Sequence, residues 1–307
     1  MRLLLVLTEN QTIVDPRDLK GLVRLAAEAE QAGVDGVMMS EHVVLGPTAG
    51  ERGVMGNPRD YAAPGNQDPA TPWPSSVVTL SAIAQATTTL RLVAGAVIAP
   101  LRHPLLLAKE LATLDLLSEG RLVVLPTVSW HRDEYDALGV PFTERGRILD
   151  EQLEVLAKAW GPFPVRHEGR YYSFGDVWLE PGPWRPEGPV LWFGGQGMHP
   201  PLVRRLVRYG QGLNPFGPLS ADDLSVVAGA MAAAGRDMTE LELVGGIRGS
   251  FSGADDLADL GRALEALPRQ LELGFTTICF KPSMFIDDAR QIGAFCRDLV
   301  GRVDALA

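Results

Sequence analysis

Apolar and polar positions change period in a regular way along this chain. Short runs rich in Leu, Val and Ile, bounded by Gly, Pro, Asn or Asp, predict strands. Longer stretches between them, with apolar residues three and four apart, predict helices. Strands are expected over about 2–8, 35–39, 90–98, from Arg121 onward, 189–193, 211–214, 241–247 and 275–280. Helices are expected near 17–32, 75–86, 104–119, 131–138, 144–160, 199–209, 220–234, 255–271 and 287–303. Gly33 and Gly120 follow two of these helices as C-caps, and Pro104 opens another at its first position.

Eight strand–helix units in 307 residues predict a (β/α)8 TIM barrel. The rival is a doubly wound open sheet. Its glycine-rich fingerprint is missing, because "LTENQTIVDP" after the first strand contains no glycine. We expect one domain over 1–307, with loop or hairpin insertions at about 44–74 and 163–187. Loops of that length usually serve a function or are disordered. Both segments hold aromatic residues, among them Tyr61, Trp73, Tyr171, Tyr172, Trp178 and Trp184, which suit a lid over a planar ligand or a subunit interface.

Composition narrows the function. A net charge of −10 without clustered Lys and Arg argues against nucleic acid. The opening "MRLLLVLT" is too short to span a membrane and lacks a signal-peptide cleavage region. Cys279 and Cys296 are expected as reduced core thiols, and a cytoplasmic location is the default. The five histidines show no metal-ligand spacing, so no metal is expected.

In a barrel of this kind the chemistry lies at the C-terminal strand ends. Those ends offer Glu41 and His42, Ser129, Gly194-Gly195-Gln196, Arg248, Lys281 and Ser283. Histidine near its neutral-range pKa suits proton transfer. Glycines before a helix allow close backbone approach to a phosphate. Lys281, Ser283 and Arg248 read as ligands for an acidic group or as solvated rim residues. Asp115 and Arg121, flanking the end of one helix, suggest a structural ion pair.

Four stretches carry a family pattern: "SEHVVL" at 40–45, "TTTLRLVAGAVIAPLRHPLLLAKELATLDLLSEGRL" at 87–122, "EYDALGVPFTERGRILDEQLEVLAKAW" at 134–160 and "PVLWFGGQGMHPPLVRRLVRYGQG" at 189–212. In order and spacing they resemble the bacterial luciferase-like superfamily, especially its deazaflavin (coenzyme F(420))-dependent oxidoreductase branch. The resemblance implies a cofactor across the barrel mouth, with coenzyme F(420) preferred and FMN the alternative. It implies hydride transfer to or from a small organic substrate, with His42 and Glu41 beside the ring. It also implies a homodimer. With FMN, the implied activity is a monooxygenase fed by a separate reductase. A non-catalytic flavin-binding relative is the third reading.

The same resemblance places a non-prolyl cis peptide at Ala96-Val97, supporting the ring. It makes Thr127, Val128, Ser129, Trp130, Gly194, Gly195 and Gln196 cofactor contacts. One stretch departs from the pattern. Where the family has Gly-x-Gly-x-Gly-Trp, this chain has Leu125, Thr127 and Ser129 before Trp130. Three added side chains reshape the pocket, and two of them bring hydroxyls.

Overall fold

Period-two alternation sorts the strand side chains into two apolar clusters in the computed structural model, which describes residues 1–306. The first strand, β1 (Arg2–Val6), sends Leu4 and Val6 to one cluster and Leu3 and Leu5 to the other. The same division repeats in β2 (Gly36–Met39), β3 (Arg91–Ile98) and β4 (Leu122–Thr127). Two hairpin strands follow, β5 (Val165–Glu168) and β6 (Ser173–Val177). The series ends with β7 (Val190–Phe193), β8 (Gly212–Leu213), β9 (Glu242–Gly246) and β10 (Thr277–Phe280).

Every strand except β5 and β6 pairs in parallel, and the ring closes when β10 pairs with β1. Leu4, Val6, Val93, Val123, Leu125, Trp192, Val244 and Cys279 fill the barrel interior. The larger cluster packs the outward strand faces against the helices. Each buried Val or Leu side chain contributes roughly 1.5–3 kcal/mol to holding these layers together. The expected (β/α)8 barrel is therefore the observed fold.

The helices are α1 (Leu19–Gln31), α2 (Ser76–Ala86), α3 (Pro104–Leu117), α4 (Arg132–Ala137) and α5 (Arg145–Ala159). They continue as α6 (Pro200–Tyr209), α7 (Ala221–Ala233), α8 (Leu260–Leu264), α9 (Leu267–Glu272) and α10 (Ile292–Asp304). One differs in kind from its expectation. The helix expected at 255–271 is two short helices, broken before Pro268. Proline lacks the N–H that would bond to the carbonyl of Leu264, and its ring crowds that carbonyl.

The expected pairing of Asp115 with Arg121 does not form. Asp115 accepts from the Trp184 N–H (3.0 Å), while Arg121 donates to the carbonyls of Ala84, Thr87 and Leu90. The ion cluster at the N-terminal end of the barrel centres on Glu242 instead. It receives both Arg91 nitrogens (2.7 and 2.9 Å) and lies 3.2 Å from Arg2.

The two aromatic segments separate. The β5–β6 hairpin docks on α5, where Glu151 accepts the N–H groups of Arg170, Tyr171 and Tyr172. Trp178 and Trp184 beyond it are exposed. Residues 44–74 instead fold back over the strand ends. Arg59 donates to the carbonyls of Ser283 and Ile286, and Asn57 to those of Gly253 and Asp256. Tyr61 packs on the barrel-interior cluster.

Candidate functional site

The C-terminal strand ends bring His42, Trp73, Trp130 and His131 into one aromatic group. His42 makes edge contacts with the rings of Trp73 (4.9 Å), Trp130 (5.8 Å) and His131 (6.1 Å). His42 is 9% exposed, and its Nδ1 lies 3.2 Å from Glu134 Oε2. Its Nε2 makes no hydrogen bond among the described residues and keeps contact with solvent.

Glu134 was not singled out by the sequence. It lies on α4, fully buried, and also accepts from the N–H groups of Val43 (2.7 Å) and Val44 (3.4 Å). Three further hydrogen bonds extend this clamp. Gly46 N–H donates to His131 Nε2 (2.8 Å), and Thr48 donates through its N–H and hydroxyl to Asp133 (3.0 and 2.9 Å). The polar end of "SWHRDEY" is therefore the anchor for the loop that follows β2. Since His131 Nε2 accepts, the neutral ring holds its proton on Nδ1, which has no partner. Burial pushes the His131 pKa down, with Asp133 and Glu134 pulling the other way.

Glu41 sits differently from the sequence expectation. Its carboxylate receives Arg102 through both guanidinium nitrogens (2.7 and 3.0 Å), the Ile98 N–H (2.8 Å) and the Ser76 hydroxyl (3.0 Å). All of its strong acceptor positions are taken by groups of β3, α2 and the start of α3. This geometry ties elements together and leaves no oxygen for a reacting proton.

β3 carries a bulge between Gly95 and Val97, and the cis bond is one residue earlier than the expected Ala96-Val97, between Gly95 and Ala96. Ala96 is half-buried against the barrel interior, whereas Val97 is fully buried on the outer layer. Val97 therefore faces the helices, and only its backbone is near the mouth.

In β4, Leu125 packs inside the barrel. Thr127 comes next on the same face and is half-buried, as are Val128, Ser129 and Trp130. Ser129 has φ 55°, a left-handed conformation that favours glycine. A serine with its hydroxyl therefore occupies a backbone conformation that glycine adopts more readily. Tyr135, buried on α4, donates to the Val128 carbonyl and fixes this turn.

The Gly194-Gly195-Gln196 segment divides in two. A Cβ on Gly194 would lie 1.8 Å from the Asn214 carbonyl oxygen, so β7 and β8 require glycine there. A Cβ on Gly195 would meet nothing closer than Leu202 Cδ2 at 3.7 Å. Gln196 is exposed. The adjoining helix is a poorer anion site than expected. Pro200 and Pro201 lack N–H groups, and the N–H groups of Leu202 and Val203 are already bonded to His199.

The ends of β1 and β10 hold a group of ionisable side chains, of which the sequence left Lys281, Ser283 and Arg248 open as ligands for an acidic group or as solvated rim residues. Lys281 is fully buried, donates to the Asp60 carbonyl (2.7 Å) and lies 5.2 Å from the Tyr61 ring centre. Burial pushes its pKa down to about 8, against the pull of Glu9 and Asp60. Ser283 is also fully buried, and exposed Arg248 pairs with Asp60 (3.0 Å). Glu9 has φ 64° and accepts from the Ala62 N–H (2.9 Å). Burial pushes its carboxyl up, while Lys281 and the Ala62 N–H pull it down. A 410 Å³ cavity opens beside this group between residues 55–66 and 249–253, and none of the expected cofactor contacts lines it.

The strand ends thus present a half-buried alanine on a bulged strand, aromatic edges at His42, an imidazole nitrogen without a hydrogen-bond partner and a glycine that packing does not require. Among the described residues no three His, Cys, Asp or Glu side chains gather to hold a metal, and no helix is long and apolar enough to cross a membrane.

Barrel, bulge and strand-end histidine together define a class, and comparison with known proteins gives the family. The chain matches the luciferase-like monooxygenase family over residues 1–282 and belongs to it. An uncharacterised protein of Mycobacterium tuberculosis is 40% identical over 121 residues, 39% of this chain and 41% of that protein. An FMNH(2)-dependent dimethylsulfone monooxygenase of Pseudomonas putida is 32% identical over 123 residues, 39% of this chain and 34% of that protein. In these matches the chain spans less than half the length of the curated relatives.

Among solved structures, a monooxygenase from Streptomyces bottropensis superposes with a TM-score of 0.71 at 22% identity, over 99% of this chain and 100% of that one. The coenzyme F(420)-dependent tetrahydromethanopterin reductase from Methanopyrus kandleri gives 0.68 at 16% identity, over 98% of each chain. These likenesses establish the shared fold.

Proposed function

We propose that this chain is a luciferase-like oxidoreductase. It binds a deazaflavin at the barrel mouth and exchanges a hydride with a small organic substrate. The observation that supports this reading best is His42, held between Trp73, Trp130 and Glu134 with Nε2 free at the strand ends. The deazaflavin is preferred because the stretches at 87–122 and 134–160 are most similar to that branch. The cofactor supplies the hydride chemistry, and the protein supplies position and electrostatics.

In this reading Ala96 and the β3 bulge support one face of the ring. Trp130 and Trp73 exclude water from its edge. His42 takes or gives the substrate proton at Nε2. Thr127 and Ser129 donate from their hydroxyls to the cofactor, and the Gly195 and Gln196 backbone approaches its tail. Glu41, clamped by Arg102, holds the strand end that carries His42. The protein works as a homodimer in the cytoplasm.

A second reading keeps the site and uses reduced FMN with oxygen, supplied by a separate reductase. It is favoured by the FMNH(2)-dependent relatives. The test is a pair of assays on the same preparation: hydride exchange with the deazaflavin across candidate substrates, and oxygen uptake with reduced FMN. Substrate-dependent hydride exchange, lowered roughly 10²–10⁴-fold in His42→Ala, supports the proposal. Substrate-dependent oxygen uptake alone moves it to the second reading. Turnover undiminished in His42→Ala removes His42 from the chemistry.

A further inference from the structure

We infer that Glu134 is the positioning residue for His42: its carboxylate fixes the imidazole in the Nδ1–H tautomer and so presents an unprotonated Nε2 to the barrel mouth. This rests on the reading of His42 as the proton-handling group and adds the device that prepares it.

Glu134 Oε1 already accepts two backbone N–H groups, from Val43 and Val44. Those donors stabilise the charged carboxylate, which is acceptor-only. Its other oxygen, Oε2, lies 3.2 Å from His42 Nδ1. An acceptor at that distance requires the hydrogen on Nδ1, because two facing lone pairs would repel. The neutral ring then has its lone pair on Nε2, the nitrogen with no partner. A ring nitrogen's state is set by the bond its twin makes.

The surroundings hold this arrangement. Glu134 is fully buried, and Trp73 and Trp130 each pack near-perpendicular to the imidazole, so both indoles oppose rotation of the ring. The His131 ring is the third neighbour. Its Nε2 is committed to the Gly46 N–H, so it cannot replace Glu134 as partner without breaking the loop anchor.

Replacing Glu134 by Gln reverses the bond without changing the shape. The amide oxygen keeps the Val43 N–H, which leaves the amide NH2 facing His42 Nδ1. An NH2 donates, so Nδ1 must become the acceptor and the proton must move to Nε2. A role limited to anchoring the loop would not shift a tautomer.

The test is long-range 15N–1H correlation on the full chain with 15N-labelled histidine, at a pH where His42 is neutral, with His42 assigned from His42→Gln. The inference expects the Nδ1–H tautomer in the wild type, the Nε2–H tautomer in Glu134→Gln, and restoration of Nδ1–H in Glu134→Asp. A wild-type ring in the Nε2–H form overturns it, and so does a folded Glu134→Gln with an unchanged tautomer. Should Glu134→Gln fail to fold, the wild-type spectrum still decides. The measurement needs neither cofactor nor substrate. Failure of the positioning role therefore shows in the spectrum, and failure of the proposed oxidoreductase activity shows in the turnover assays.

Discussion

Replacing Glu41 by Ala separates a structural from a chemical role for the acid beside His42. Its carboxylate binds the Ile98 N–H, the Ser76 hydroxyl and both Arg102 nitrogens, and it is 2% exposed while Arg102 is 21% exposed. Removing one partner of a fully buried pair costs roughly 3–5 kcal/mol. Arg102 can rehydrate in part, which reduces that figure. The orphaned Ile98 N–H, buried in β3, adds roughly 1–3 kcal/mol on its own. A net loss of about 3 kcal/mol is therefore expected. At about 2–4 °C per kcal/mol for a chain somewhat smaller than this one, Tm falls by about 6–12 °C. The assay is thermal and urea unfolding of wild type, Glu41→Ala and Glu41→Gln, with Gln intermediate because it keeps one acceptor. A Glu41→Ala protein with unchanged Tm and lost turnover would refute the structural reading and return Glu41 to the chemistry.

Three further outcomes follow from the same geometry. Gly194→Ala should fold poorly, since its Cβ would strike the Asn214 carbonyl, while Gly195→Ala should keep its Tm within about 1 °C and weaken cofactor binding; unfolding curves and titrations of the two variants check this. Lys281 is held deprotonated in the folded protein at a lower pH than in the unfolded chain, so the unfolded state binds more protons between about pH 8 and pH 10.5. Wild-type stability should therefore rise relative to Lys281→Met across that window, by up to about 3 kcal/mol, and parallel urea-unfolding curves would contradict it. Arg59→Ala, which frees the carbonyls of Ser283 and Ile286, should raise proteolytic nicking within 44–74 several-fold at unchanged Tm, measured by limited digestion.

Much of the barrel could be read from local patterning, because strand alternation and helix caps depend on neighbours in sequence. Leu4 and Val6 against Leu3 and Leu5 is such a pattern, and the structure sorts them that way. Pro268 was a readable helix-break signal that the surrounding apolar spacing obscured. "HPP" at 199–201 likewise announced a helix start without free donors.

Other features depend on pairings across the barrel. The contact of Glu134 with His42 joins residues 92 positions apart, so nothing near Glu134 distinguishes it from a helix-surface acid. Lys281 is buried where the 44–74 loop returns over the strand ends and offers the Asp60 carbonyl from 221 positions away. The Glu41–Arg102 pair had one local hint, an acid at a strand end between serine and histidine, which the family resemblance turned toward chemistry. What the acid touches is set by β3 and the start of α3.

The central claim, that this mouth holds a deazaflavin, is tested most directly by side-by-side calorimetric titration of the purified apoprotein with coenzyme F(420) and with FMN. The account predicts saturable binding of coenzyme F(420), tighter than FMN by at least tenfold and weakened in Gly195→Ala. Tighter binding of FMN would contradict the cofactor assignment. Binding of neither would mean that Leu125, Thr127 and Ser129 have closed the site.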